Sequence, residues 1–442
     1  MAPRHRNEGP CIGCAVSART ARQVACEALV RIEDGAYSHV VLPMMLRGSS
    51  LSARDRAFVT DLVYGTVRSQ RRLDDLLAPH GRRPLRRLDP PVRAALRIGA
   101  QQLVQGVPAH AAVSATVDAV PQRARGYVNA VLRALSTSGP PWPEPSSEAV
   151  ALSYPDWIVD LLSTDLGEDD ARAALAASNE PGLVSLRPNP LQTTAADLTE
   201  ELHDRGAQVE PGRLVEDALV VRGAGDLATL PAVAQGRATP QDQASQAAIE
   251  IAAPAPGDRV LDVAAAPGGK ATAAAERIGI DGIVVALDVD AGRLRLVQAA
   301  AQRLRLSNLH VGIADARKLP ISPRSFDLVV VDAPCSGLGA LRRRPDLRWQ
   351  LQPTTVQPLA DLQLGLLQEA ATAVRPGGRL VYSVCTLTRL ETTAVAERAL
   401  AEFDGFTVLE PPAGWRPHGP GGLVLPQDAG TDGMFVMVLR RT

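Results

Sequence analysis

The sequence predicts an α/β protein whose main domain is built on a parallel sheet, preceded by an all-α domain and a small α+β connector. Three observations lead to this fold class. The first 140 residues place apolar side chains three and four positions apart, without the alternation typical of strands. Residues 139–145 form a proline-rich segment that cannot be helical. From about residue 241, short apolar segments alternate with helix-like ones, which is typical of βαβ units around a sheet covered on both faces.

The chain divides into four predicted segments, because 442 residues are too many for a single ordinary core. We predict a flexible tail over residues 1–18, an all-α domain over 19–140, a connector over 146–235 and the α/β domain over 236–442.

Individual elements follow from the same patterns. Helices are predicted over residues 91–103, 109–120 and 126–135 of the all-α domain, and over 157–166 and 169–178 of the connector, which also has strands at 183–186 and 218–221. The α/β domain has predicted strands at 259–263, 283–287, 326–331, 379–384 and 434–439, with helices over 291–304 and 359–374. We therefore expect a ligand site at the carboxyl ends of its parallel strands.

Composition narrows the class of protein. Hydrophobic residues make up 45% of the chain and charged residues 21%, as in soluble globular proteins, and no apolar run is long enough to cross a bilayer. The first nine residues lack the pattern of a secretory signal, and five cysteines are too few and too scattered for a disulfide framework. We expect a cytoplasmic protein without a membrane partner. Cys11 and Cys14 have zinc-ligand spacing but no second pair nearby, so no metal site is predicted.

The charge is distributed unevenly. Residues 1–140 contain 20 arginines and 10 acidic residues, a net charge of +10, whereas the remaining 302 residues contain 27 basic and 38 acidic residues, a net charge of −11. A basic first third favours a polyanionic partner for that part of the chain. The alternative is a solvated helical surface that binds nothing.

A glycine-containing loop follows the first strand of the α/β domain. Small residues and two glycines allow a ligand to approach the backbone, and the following helix offers free N–H groups at its start. The loop has neither the glycine spacing of dinucleotide folds nor the ending of a nucleotide-triphosphate loop. Its residues are Ala264, Ala265, Ala266, Pro267, Gly268, Gly269 and Lys270.

Three aspartates follow or end the later strands. Asp288 lies 18 positions after Lys270, where a carboxylate can accept both hydroxyls of a ribose. Asp315 can accept from an adenine amino group, and Asp332 ends the third strand. With the glycine loop, these carboxylates predict a pocket for an adenosine-bearing cofactor.

Two cysteines are expected to face this pocket, since Cys335 and Cys385 each follow a strand. A thiolate that adds to carbon 6 of cytosine makes carbon 5 nucleophilic, so that it can accept a methyl group, after which loss of the carbon 5 proton expels the thiolate. Asp332 is placed to serve ring nitrogen 3 of the base. The residues alone do not rank the two cysteines, and either can be a small buried hydrophobic residue instead.

These motifs resemble the NOP2/Sun family of RNA cytosine-5 methyltransferases, and within it the bacterial enzymes that act on 16S rRNA. The resemblance runs from about residue 18 to the end of the chain. Residues 54–68, 107–113 and 126–133 resemble the NusB-like RNA-binding domain of these enzymes. Residues 241–246, 265–270, 332–339, 343–349 and 432–435 resemble their Rossmann-like catalytic domain.

The resemblance implies roles for matching positions. S-adenosylmethionine would be held by the glycine loop, Asp288, Asp315 and Asp332. Cys385 would be the nucleophile and Cys335 would assist product release, although a Pro-Cys nucleophile as in DNA cytosine-5 methyltransferases would favour Cys335. The chain departs from the family pattern at Val384, where threonine is usual, and at Ala264, where cysteine is frequent.

Four arginines follow the Pro-Cys segment and are predicted to contact RNA phosphates. They are Arg342, Arg343, Arg344 and Arg348. The expected partner is RNA, specifically 16S rRNA, free or in an early small-subunit particle, bound by a monomer. The alternatives are a cytosine-5 methyltransferase that acts on tRNA or DNA, and a ribosome assembly factor that binds RNA without catalysis.

Overall fold

A computed structural model describes residues 19–442. The predicted tail, with Cys11 and Cys14, lies outside the described residues. The chain divides into two compact units, the first ending at Pro145 and the second beginning at Ser146. Among the described residues, no helix combines the length and the apolar character needed to cross a membrane.

Residues 19–145 contain seven α-helices and no strand. They are α1 (Ala21–Glu33), α2 (Ser38–Arg47), α3 (Ala53–Arg68), α4 (Gln70–Leu77), α5 (Pro90–Val104), α6 (Ala109–Val117) and α7 (Gln122–Ser138). Helix α5 is central, because all of its residues from Ala94 to Leu103 are buried. It approaches α7 so closely at Gly99 that a Cβ there would lie 2.3 Å from Leu132 Cδ1.

One cationic side chain is buried in this helical unit. Arg97 on α5 donates to Glu33 at 2.9 Å and to Asp74 at 2.7 Å, so α1 and α4 each supply it with a carboxylate. A buried charge is stable only when it is paired and hydrogen-bonded in this way.

The second unit begins with three helices, followed by a small antiparallel sheet and two further helices. The elements are α8 (Glu148–Leu152), α9 (Asp156–Leu166), α10 (Glu168–Ala177), β1 (Val184–Pro188), α11 (Ala195–Asp204), β2 (Gln208–Pro211), β3 (Leu219–Arg222), α12 (Pro231–Ala234) and β4 (Ala238–Pro240). The strand order is β2-β3-β1-β4.

The large sheet follows in the same unit. Its elements are α13 (Gln243–Ala252), β5 (Arg259–Asp262), α14 (Gly269–Ile278), β6 (Ile283–Asp288), α15 (Ala291–Leu304), β7 (Leu309–Ile313), β8 (Phe326–Asp332), α16 (Leu347–Gln350), α17 (Val356–Ala373), β9 (Val374–Val384), α18 (Thr393–Glu402), β10 (Phe406–Leu409), β11 (Arg416–His418), β12 (Gly421–Val424), α19 (Pro426–Ala429) and β13 (Met434–Arg441). The strand order is β11-β12-β13-β9-β8-β5-β6-β7, and β10 pairs with β13.

The parallel sheet that the sequence predicts is formed by strands β5 to β9. Strands β10 to β13 extend it with antiparallel pairs, which the sequence analysis did not foresee. Helices cover both faces, as the alternation along β8 shows: Val329 and Val331 belong to one apolar core, and Leu328 and Val330 to the other. The central strands therefore end together at one edge, where polar side chains replace apolar ones.

The small sheet is joined to the large one by a buried ion pair. Arg187 on β1 and Glu276 on α14 form two hydrogen bonds of 2.9 Å, and their side chains are 3% and 0% exposed. Arg187 also donates to the carbonyl of Gly269 at 2.8 Å, at the start of α14. The pair thereby fixes the glycine loop's helix to the small sheet.

We predict that Glu276→Ala lowers the free energy of unfolding by about 3–5 kcal/mol, because it leaves the Arg187 charge buried without a partner. Glu250→Ala, which breaks the more exposed pair with Arg277, should cost less than about 1 kcal/mol. Urea denaturation of both variants measures the difference. Equal losses of unfolding free energy in the two variants would contradict the stabilising role of the buried Arg187–Glu276 pair.

Candidate active site

The loop between β5 and α14 is fixed to the neighbouring strands. The Val263 amide donates to the Val330 carbonyl at 3.1 Å, and the Ala265 amide donates to the Leu287 carbonyl at 2.8 Å. Gly268 has φ of 108°, and a Cβ there would lie 3.2 Å from Val297 on α15. The position therefore favours glycine for both its backbone angle and its contacts. The loop's backbone is thus held where α14 begins.

Asp288 lies where the sequence analysis placed it, at the end of β6, and is only 4% exposed. Its two carboxylate oxygens accept from the amides of Ala266, at 3.2 Å, and Asp290, at 3.0 Å. Each oxygen keeps a lone pair for a further donor, so the carboxylate is oriented and can still receive the hydroxyls of a ligand.

Asp315 lies just beyond β7 and pairs with Arg317 at 2.6 Å. The hydrogen bonds from Arg317 lower the pKa of Asp315 to about 2. Exposed apolar side chains lie at the ends of β6 and β7: Val289 is 64% exposed and Ile313 is 68% exposed. Such a surface suits the faces of a planar ring.

Lys270 and Asp332 form an ion pair at the centre of the strand ends. The ammonium lies 2.7 Å from Asp332 Oδ2, and Ser383 on β9 donates to Oδ1 at 3.0 Å. Burial acts to lower the pKa of Lys270, but the charge and hydrogen bond of Asp332 outweigh it and raise that pKa above its ordinary value. Lys270 is therefore a buried ammonium, and among residues 19–442 Asp332 is the carboxylate within ion-pair distance of it.

Asp262 is a site residue that the sequence analysis missed. It ends β5, it is 1% exposed, and its Oδ2 has no hydrogen-bond partner among the described residues. Burial, helped by the charge of Asp332 and opposed by Lys270, raises the pKa of Asp262 to about 7. A charged residue at the end of an otherwise apolar strand was the signal that could have identified it.

The two cysteines meet at this edge. Their Sγ atoms are 3.4 Å apart, within hydrogen-bonding distance for sulfur. The amide of Gly339 donates to the carbonyl of Cys385 at 3.0 Å, so the segment after Cys335 is bonded directly to the other cysteine. The hydrogen bond with Cys385, together with burial, raises the pKa of Cys335 well above its ordinary value.

A buried carboxylate, Glu391, was also missed. It is 0% exposed and accepts hydrogen bonds from Ser336 and Thr386, the residues that follow the two cysteines. Two of its donors, Ser336 and Gln363, lie 55 and 28 residues away, so no local motif indicated the whole arrangement.

The prediction that all four arginines contact RNA phosphates is wrong for Arg342 and Arg348, because both are buried. Arg348 is fully buried, with its guanidinium carbon 3.8 Å from the centre of the Tyr154 ring, and it donates to Asn179 at 2.7 Å. Arg342 is only 5% exposed and donates to the Thr431 carbonyl at 3.2 Å.

Arg343 is held by two carboxylates. It lies 2.6 Å from Asp242 and 3.2 Å from Asp432, residues that come from opposite ends of this domain. These contacts hold the segment after Cys335 in place: Arg343 through its ion pairs, Arg348 through the Tyr154 ring, and Arg342 through its hydrogen bond to the Thr431 carbonyl. Arg343 and Arg344 are half-buried, and their predicted phosphate contacts stay predictions.

The titration of Asp262 gives a stability prediction. Its pKa is about 7 in the fold and near 3.9 in an unfolded chain, so between these values only the folded state holds the proton. The wild-type free energy of unfolding, compared with that of Asp262→Asn, should fall by about 1 kcal/mol per pH unit from pH 4 to 7 and level off above 7. Denaturation at several pH values tests this, and parallel curves for the two proteins would refute it.

Comparison with known proteins agrees with this three-part fold. The family model for 16S rRNA methyltransferase RsmB/F matches residues 249–440, the NusB family model matches residues 19–137, and that for the ferredoxin-like domain of RsmF/B-like methyltransferases matches residues 154–228. The predicted fold class, including the NusB-like first domain, is confirmed.

Full-length relatives lead to the same family. The chain is 33% identical to the probable ribosomal RNA small subunit methyltransferase B of Bacillus subtilis, over 95% of this chain and 98% of the relative. It is 36% identical to ribosomal RNA small subunit methyltransferase B of Thermus thermophilus, over 96% and 98%. The crystal structure of PH0851 superposes with a TM-score of 0.83 at 26% identity, over 96% of this chain and 99% of that one. This chain therefore belongs to the RsmB/F family of 16S rRNA methyltransferases.

Proposed function

We propose that the protein transfers a methyl group from S-adenosylmethionine to carbon 5 of a cytosine in 16S rRNA, through a covalent bond between Cys385 and the base. The observation that carries the proposal is the pair of sulfurs 3.4 Å apart at the ends of β8 and β9, beside the Lys270–Asp332 ion pair. A methyltransferase that attacks an unactivated ring carbon needs a nucleophile and a way to release it, and two adjacent thiols supply both.

The residues at the strand ends fit S-adenosylmethionine. The partnerless oxygen of Asp262 suits a cationic ligand, and the oriented carboxylate of Asp288 suits two ribose hydroxyls. Asp315 and the exposed Val289 and Ile313 suit the polar edge and the faces of an adenine. When bound, this cofactor supplies a methyl group on a positively charged sulfur.

Cys385 is the proposed nucleophile because the resemblance to the NOP2/Sun family assigns that role to its position, and its sulfur lies at the end of β9 beside the Lys270–Asp332 pair. The hydrogen bond with Cys385 and burial raise the pKa of Cys335, which favours the thiol form of that residue, 3.4 Å from Cys385 Sγ. Cys385 reacts as the thiolate and bonds to carbon 6 of the cytosine. Lys270 and Asp332 hold a proton that ring nitrogen 3 takes up as this bond forms, which leaves carbon 5 electron-rich.

Release requires the bond between Cys385 and carbon 6 to break. Once carbon 5 carries the methyl group, its hydrogen leaves to water as a proton and the electron pair restores the ring double bond. Cys385 departs as a thiolate, stabilised by the S–H of Cys335, and nitrogen 3 returns its proton to the Lys270–Asp332 pair. The residue before the nucleophile is Val384, which is fully buried on β9. Because valine has no hydroxyl, this step uses none at that position.

RNA as the substrate is supported by the relatives' names and by the basic first unit. Arg82, Arg83, Arg86 and Arg87 are exposed between α4 and α5, and none of the four forms an ion pair within residues 19–145. Arg93 and Arg97 in the same unit are both paired with acidic side chains. The four exposed arginines are therefore available for phosphates.

We predict that replacing all four with Gln weakens binding of a 16S rRNA transcript about 10- to 100-fold at physiological salt and reduces the salt dependence of binding. Replacing all four with Lys should retain most of the affinity, because a phosphate contact depends chiefly on charge. Filter binding at several salt concentrations measures both. Unchanged binding by the Gln variant would exclude this segment as a contact.

The test of the function is methyl transfer to unmodified 16S rRNA, with nucleoside mass spectrometry of the product. We expect 5-methylcytidine from the wild type, loss of activity by more than about 1,000-fold in Cys385→Ala, and a denaturant-stable protein–RNA complex in Cys335→Ala. Control substrates are tRNA and DNA with the same sequence as the 16S rRNA. A methyl group on another atom, or no product from any RNA, would overturn the proposal.

A further inference from the structure

One buried carboxylate receives five hydrogen bonds from the two cysteine segments and the helix beside them. Glu391 Oε1 accepts from the Ser336 amide at 2.8 Å and from Gln363 Nε2 at 3.1 Å. Its Oε2 accepts from the hydroxyls of Ser336 at 2.6 Å, Thr388 at 2.9 Å and Thr386 at 3.1 Å. All these partners donate, which is what a carboxylate without solvent contact requires.

The donors lie next to the reacting sulfurs. Ser336 follows Cys335 and Thr386 follows Cys385, and their hydroxyl oxygens are 2.7 Å apart. Gln363 also donates to the carbonyl of Pro334 at 2.9 Å, on the other side of Cys335. Glu391 and Gln363 therefore hold the residues on both sides of Cys335, and Glu391 also holds Thr386, the residue after Cys385.

Capping a short helical turn does not explain this arrangement. Glu391 ends the turn Arg389–Glu391, and Thr388 caps that turn. Only the Thr388 and Thr386 bonds are local, whereas Ser336 lies 55 residues away and Gln363 lies 28 residues away. A cap would need neither of these distant partners.

We propose that Glu391 is a positioning residue that fixes the two cysteine segments relative to each other and so sets the distance between the sulfurs. The effect on catalysis rests on the proposed function, whereas the effect on the sulfur distance does not. Glu391 touches neither sulfur. Its negative charge adds to the hydrogen bond with Cys385 and to burial in raising the pKa of Cys335, so it also helps to keep Cys335 a thiol.

The proximity of the sulfurs can be tested with phenylarsine oxide, whose arsenic forms one bond to each of two close thiols while its oxygen leaves as water with the two thiol protons. The protein is the full chain with Cys11→Ser and Cys14→Ser, so that the first cysteine pair does not bind the reagent. In the protein with an intact Glu391, we expect the reagent to consume the thiols of Cys335 and Cys385 together. Capture should be about 10-fold slower in Glu391→Ala and close to wild type in Glu397→Gln, an exposed control on α18.

Catalysis provides the second measurement. A displacement of about 1 Å can cost roughly 100-fold in rate, so we expect kcat of Glu391→Ala to fall about 100-fold while S-adenosylmethionine affinity stays within about threefold. Glu391→Gln keeps one carbonyl acceptor and should recover about 10-fold of that loss. Thr386→Val removes the hydroxyl that links the Cys385 segment to Glu391 and to Ser336, and it tests the same link if Glu391→Ala fails to fold.

The outcomes separate the two proposals. Slower arsenical capture in the Glu391→Ala protein supports the positioning role even if the wild type methylates no cytosine, in which case only the proposed function falls. Wild-type capture and wild-type kcat in both Glu391→Ala and Thr386→Val would overturn the positioning role. Loss of cofactor affinity in step with kcat in both variants would also overturn it, because the damage would then be general.

Discussion

The parallel pairing of β8 with β9 is the constraint on which the site depends. Its register places Asp332 opposite Ser383 and Val331 opposite Tyr382, so the two strands end level with each other. Cys335 lies three residues beyond Asp332 and Cys385 lies two residues beyond Ser383, and these short extensions bring the sulfurs within 3.4 Å. A shift of one residue in this register would turn every following side chain to the opposite face of the sheet. The antiparallel pairing of β13 with β9 holds the strand from its other side.

Charge is arranged so that each buried group depends on another. Lys270 lies against Asp332, whose negative charge in turn favours the protonated form of Asp262. On the far side of the cysteines, Glu391 is enclosed by amide and hydroxyl donors, with Tyr382 donating to its backbone carbonyl at 2.6 Å. Few of these groups reach solvent, so removing one changes the protonation or position of its neighbours. This interdependence extends to Cys335, whose pKa is raised by its hydrogen bond with Cys385, by burial and by the charge of Glu391.

Sequence patterns predicted what local spacing determines. The glycine loop, Asp288, Asp332 and both cysteines lie at strand ends that hydrophobic periodicity could locate. The sequence did not reveal partners that are distant along the chain: the carboxylates that hold Arg343 lie 101 and 89 residues away, so a run of arginines resembled a solvent-facing surface. Glu391 was missed for the same reason, since an isolated acidic residue has no periodic signature. The antiparallel edge of the sheet was missed because β10, β11 and β12 are only three or four residues long.

The most direct test of the central claim, that Cys385 bonds to the base while Cys335 assists its release, is to locate the covalent bond. RNA that contains 5-fluorocytosine should trap the enzyme, because fluorine at carbon 5 cannot leave as the proton does. Digestion of the trapped complex and mass spectrometry of its peptides identify the modified cysteine. The account predicts a nucleotide on the peptide that contains Cys385 and an unmodified Cys335. A nucleotide on Cys335 would contradict it and reverse the two roles.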